Sequence, residues 1–117
     1  MSNESLERIL SSALTGFPTR VDAAYLFGSE ARGEASRGSD LDVAILLGGP
    51  RPGTLDEGGF DLAAALEATL QRPVDLVILN GAPVDLVARV LRDGRLLLDR
   101  NPSARIRFEV QARNEYF

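Results

Sequence analysis

The chain contains no cysteine and no histidine, and all 13 of its basic residues are arginines, so lysine is missing as well. These gaps remove whole classes of chemistry. Disulfide frameworks, zinc fingers, cysteine or histidine nucleophiles and a histidine general base are all excluded. A P-loop needs its lysine, and no G-x-G-x-x-G is present to mark a dinucleotide site. Long apolar runs are lacking too. Segments such as Val43–Leu47 are far too short to span a bilayer. The N-terminal Met1-Ser-Asn-Glu-Ser5 has no basic stretch of the kind that opens a secretory signal, which points to a cytoplasmic protein. Positive charge is scarce relative to negative. The net charge of −4 argues against direct nucleic-acid binding, which depends on a basic surface.

What remains is a 117-residue chain, 44% hydrophobic, which is enough for a single folded domain over residues 1–117. Leu6, Ile9, Leu10, Ala13 and Leu14 recur at helical spacing, and Gly16 and Pro18 end that helix. Val21–Phe27 reads as a strand broken by Gly28-Ser29, with a short helix over Glu30–Gly33. Leu41–Leu47 is a second strand, closed by the turn-rich Gly48–Gly53. Thr54–Glu57 resembles a capping box, but Gly58-Gly59 follows at once. The firm helix is therefore placed at Phe60–Gln71, with Leu62, Ala65, Leu66, Thr69 and Leu70 inward.

Pro73–Leu79 is the third strand. Pro83 suits the first turn of the next helix and Gly94 its C-terminal stop. Arg95–Asp99 is a fourth strand. Asn101-Pro102 starts a last helix running to Phe117, with Ile106, Val110 and Phe117 inward and Phe108 and Tyr116 on a face that could anchor a protein interface. The alternation implies an α/β fold, a small mixed sheet of about four strands flanked by helices.

The second strand carries an anomaly. Asp40 and Asp42 share one strand face, where like charges repel by roughly 4 kcal/mol at about 4 Å and an effective dielectric of 20. A divalent cation reverses that sign. With only carboxylates as anionic ligands, the cation must be hard, Mg²⁺ or Mn²⁺. Upstream, Gly28-Ser29 offers backbone N–H groups and a hydroxyl to a phosphate, with Arg32 as a positive fork nearby. Blander roles exist for each residue. Ser29 could be a helix N-cap, Arg32 could pair with Glu30 or Glu34, and Asp75 could sit in a salt bridge. The other aspartates, among them Asp22, Asp93 and Asp99, read as solvated or capping residues.

Gly28-Ser29, ten residues and then Asp40-Leu-Asp42 match the G-S-x10-D-x-D pattern, extended by Ala31, Arg32, Gly33 and Ser39. In this the chain resembles the polymerase-β-like nucleotidyltransferases. It is most similar to the minimal, MntA-type antitoxins that accompany HEPN-domain toxins. The resemblance continues through Val74–Leu79 to Ile106–Phe117, where family members run further, leaving open whether this chain is shortened there. It implies a palm-like fold and two metal ions held by Asp40, Asp42 and Asp75 as catalytic carboxylates. It also implies a nucleoside triphosphate, with ATP expected, bound by Gly28, Ser29, Arg32 and Ser39. The expected activity is transfer of AMP to a hydroxyl, a tyrosine of a HEPN toxin, which would silence that toxin. Homo- or hetero-oligomers fit such a role. The competing expectation is a non-catalytic antitoxin that binds nucleotide and acts by sequestration. Small-molecule and RNA-tailing relatives carry appendages for which a chain of this length has no room.

Overall fold

Two seven-residue segments, aliphatic and aromatic but for one aspartate each (Asp22 and Asp42), build the centre of the molecule. The computed structural model describes residues 3–16, 20–28, 40–49 and 55–116. Strands β1 (Val21–Phe27) and β2 (Leu41–Leu47) are hydrophobic on both faces and occupy the middle of a four-stranded sheet of order β3-β2-β1-β4. Strand β3 (Val74–Ile78) runs parallel to β2, whereas β4 (Arg95–Asp99) and β2 are both antiparallel to β1. The expected mixed sheet is therefore present, and the expected bounds of β1, β2 and β4 hold.

Helices α1 (Asn3–Thr15) and α2 (Leu55–Leu70) cover one face, and α3 (Val84–Asp93) and α4 (Pro102–Tyr116) cover the other. Under the first pair, Leu6, Leu10 and Leu14 of α1 and Leu62, Leu66 and Leu70 of α2 meet Leu26, Leu41, Val43 and Ile45. Fully burying each such side chain stabilises by roughly 1.5–3 kcal/mol. No helix among the described residues is long and apolar enough to cross a membrane.

Several local expectations are corrected. Helix α2 begins at Leu55, not Phe60, and runs through Gly58-Gly59. The glycines cost roughly 0.5–1 kcal/mol each relative to alanine, less than the burial of three leucines on the same helix returns. Its inner stripe is narrower than expected. Ala65 and Thr69 are exposed, and the Thr69 hydroxyl donates to Ala65 O (3.0 Å). Pro83 stands just before α3 instead of in its first turn, its carbonyl accepting from Val87 N–H (3.1 Å). Gly94 does end α3, but in an extended conformation (φ −79°). A Cβ there would run into the carbonyl oxygen of Val90, so close packing is what demands glycine.

The largest correction concerns α4. Ile106 and Val110 are 50% and 49% exposed, while Phe108 and Ala112 pack into the second core. Tyr116 is exposed, as expected; Phe117 and the Glu30–Gly33 helix lie outside the described residues. The helix is turned because its polar stripe has partners on the sheet. Tyr25 Oη donates to Glu109 (3.0 Å), and Arg105 donates to Glu109 (3.0 Å) and pairs with Asp99 (3.0 Å). Asn101 caps the helix through Ala104 N–H (3.2 Å), as its sequence position suggested. Asp22 is also not solvated: it is buried at an irregularity in β1 and paired with Arg20 at 2.8 Å.

Candidate functional site

The parallel pairing of β2 with β3 assembles the site. Leu41 N–H donates to Pro73 O (2.9 Å), and from that bond the register runs Leu41 beside Val74 and Asp42 beside Asp75. Because side chains alternate, Leu41, Val43, Val74 and Leu76 turn to the first core, and Asp42 and Asp75 turn together to the α3 side. Glu67 of α2 fixes the start of the edge strand by accepting Val74 N–H at 2.8 Å. Two carboxylates from segments over 30 residues apart thus become neighbours.

They open into a cavity of about 370 Å³, lined by Phe27, Gly28, Asp42, Asp75, Val77, Leu86, Arg89 and Asp93. Gly28 closes the end of β1 with φ +72°, a conformation that favours glycine, and a Cβ on it would collide with the Asp42 carboxylate. The glycine therefore serves Asp42 directly, beyond any approach of a ligand. Burial pushes the Asp42 carboxyl above the usual range. The charges of Asp75 and Asp40 push it further, and a hydrogen bond with Asp75 acts in the same direction; Arg89 opposes them. The pocket is thus short of positive charge where the two acids meet.

Of the expected site residues, Asp42, Asp75 and Gly28 come together. Asp40 stands exposed one residue before β2, close enough for its charge to be felt at Asp42. Among the described residues no three acidic groups gather closely enough to hold a metal ion. Ser29, Arg32 and Ser39 lie outside the described residues. Sequence reasoning missed Arg89 and assigned Asp93 to solvent. Both lie at helical spacing from Leu86, on the turns of α3 that face the cavity, a signal visible only once Val87 and Val90 are known to point into the core.

Comparison with known proteins gives consistent results. Residues 7–103 match the family model described as polymerase beta, nucleotidyltransferase. Protein adenylyltransferase MntA of Shewanella oneidensis is 37% identical over 79 residues, 67% of this chain and 54% of that protein. The matched region thus spans about half the length of the curated relative. A crystal structure of a toxin–antitoxin with AMP-PNP is similar at TM-score 0.80 and 28% identity, covering 94% of this chain and 86% of that one. A tri-AMPylated Shewanella oneidensis HEPN toxin in complex with MNT antitoxin gives TM-score 0.78 at 24% identity, over 98% of this chain and 87% of that one, which bears on the fold alone.

Proposed function

The chain belongs to the polymerase-β-type nucleotidyltransferase family, and from that premise we propose that it is an adenylyltransferase antitoxin that moves AMP from ATP to a hydroxyl of a HEPN-domain toxin. The observation that carries the reading is the pairing of Asp42 with Asp75 in one cavity, bordered by the positive-φ Gly28. The relative's name, protein adenylyltransferase, and the toxin–antitoxin neighbour with AMP-PNP support the reaction class and the kind of partner.

The donor set suits Mg²⁺, or Mn²⁺ in its place: oxygen ligands only, with like charges crowded around Asp42. Asp42 and Asp75, which share the cavity, are the residues that would hold it; Asp40, exposed one residue before β2, does not gather with them into a three-acid cluster. If bound there, the metal would neutralise phosphate charge and make an acceptor hydroxyl more acidic. The protein's own groups do the rest. Asp75, exposed on the edge strand, is the group that would take the acceptor's proton. Asp42, deeper in the sheet, fixes the reacting end of the nucleotide. Gly28, lacking a Cβ, leaves the Asp42 carboxylate room against the end of β1.

The test is transfer of label from α-labelled ATP, with Mg²⁺, to a purified HEPN-domain partner read by intact mass. Asp42→Asn and Asp75→Asn should each reduce transfer by at least about a hundredfold. A partner that stays unmodified yet is neutralised equally by wild type and by Asp42→Asn would reject catalysis and favour sequestration.

A further inference from the structure

The cavity holds one cation among its described lining residues, Arg89, alongside the acids Asp42, Asp75 and Asp93. Asp93 is already answered from outside the lining by Arg92, which donates to both of its oxygens (3.0 and 3.1 Å). Arg89 shares the lining with the two site carboxylates, and its charge is felt at Asp42. Its backbone is held rigidly. Val87 and Val90 on either side are buried in the second core, and Gly94 lets the end of α3 pack against the carbonyl of Leu26 beside the site. The side chain itself is exposed, so its removal opens no hole in the core.

A phosphate chain entering this cavity meets acids on the sheet. A guanidinium on the opposite wall offers two parallel N–H donors matched to phosphate oxygens, in a geometry an ammonium cannot copy. We propose that Arg89 is the residue by which this cavity recognises the phosphates of its nucleotide, clamping them from the α3 side opposite the Gly28 turn. The inference rests on the nucleotidyltransferase reading above and adds a specificity-determining residue from a segment outside the G-S…D-x-D stretch. It requires the α3 wall and the β1–β2 wall to bind one ligand between them.

The experiment compares the full chain with Arg89→Ala and Arg89→Lys by calorimetry, using AMP-PNP with Mg²⁺ and, separately, adenosine, while circular dichroism follows the fold. Arg89→Ala should weaken AMP-PNP binding by about tenfold or more and leave adenosine unchanged, since one charge-assisted contact to phosphate is lost. Arg89→Lys should fall between the two. AMP-PNP binding by Arg89→Ala within about twofold of wild type, or an equal loss for adenosine, overturns the phosphate role, the second result marking Arg89 as a structural residue. Failure of the wild-type chain to bind AMP-PNP at all would overturn the underlying reading together with this one, and so is distinguishable from failure of the inference alone.

Discussion

The two faces of the sheet are built on different rules. The buried core of the α1–α2 face is aliphatic: leucines at i, i+4 and i+8 on both helices meet Leu26, Leu41, Val43 and Ile45. The α3–α4 face mixes small and aromatic side chains, Ala23, Ala44, Tyr25 and Phe27, with charged groups turned inward. The first face supplies stability without direction, because hydrophobic burial does not depend on orientation. The second gives up apolar contact for directed polar groups, at one end a structural network and at the other the candidate site. Strand β2 belongs to both, with Leu41 and Val43 on one side and Asp42 on the other.

The sharpest break of this contrast comes from the aliphatic face. Leu66→Ala should cost about 3 kcal/mol, the mid-range for a fully buried leucine, visible as a lower urea midpoint with an unchanged slope. Nucleotide binding by the fraction still folded should not change, because the leucine lies across the sheet from the cavity. A loss of affinity in proportion to stability would show that the faces are not separable.

A smaller effect is expected on the mixed face. Tyr25→Phe removes the donor to Glu109 while Arg105 remains, and should cost about 1 kcal/mol. Burial, then the charge of Glu109, hold the Tyr25 hydroxyl well above the ordinary tyrosine value of 10.0. Above that value the unfolded chain releases this proton and the folded chain keeps it, so Tyr25's contribution is complete below pH 10 and is lost as pH rises further. Melting curves between roughly pH 9 and 11 should therefore fall more steeply for the wild type than for Tyr25→Phe. Parallel curves would mean that Tyr25 is not held in this way.

The smallest effect has the opposite sign. Asp42→Asn relieves repulsion from Asp75 and Asp40 and should raise stability by up to about 1 kcal/mol in metal-free buffer. Added Mg²⁺ should raise the melting temperature of the wild type more than that of the variant, narrowing the gap. An unchanged gap would argue against a cation at Asp42. A residue whose loss stabilises the fold is maintained for some other purpose, and that separates the site from the rest of its face.

Much of this could be read from residues in order. The apolar runs of β1 and β2, the i, i+4 leucines of α1, and the Asn101-Pro102 helix start are local patterns whose physics acts within a few residues, so they appear in place. Asp42 stood out as an acid in an apolar strand for the same reason, but alternation pointed to Asp40 as its neighbour, whereas Asp40 lies one residue outside β2 and the acid beside Asp42 is Asp75. Thr69 and Ala65 misled because helical spacing marks a candidate stripe without saying how much of it a neighbour will cover. In α4 the apolar residues pointed one way and the helix turned another, because Arg105 and Glu109 found partners on Tyr25 and Asp99 that no local pattern reveals.

By itself, then, the sequence determined the elements, the α/β class and the acids that carry charge against the grain of a strand. Tertiary structure decided which acid stands beside which, that Arg89 closes their cavity, and which side of α4 meets solvent. The reason is physical: secondary structure and alternation follow from backbone geometry within a few residues. Register between β2 and β3, and the rotation of a weakly amphipathic helix, depend on groups brought together only when the chain closes on itself.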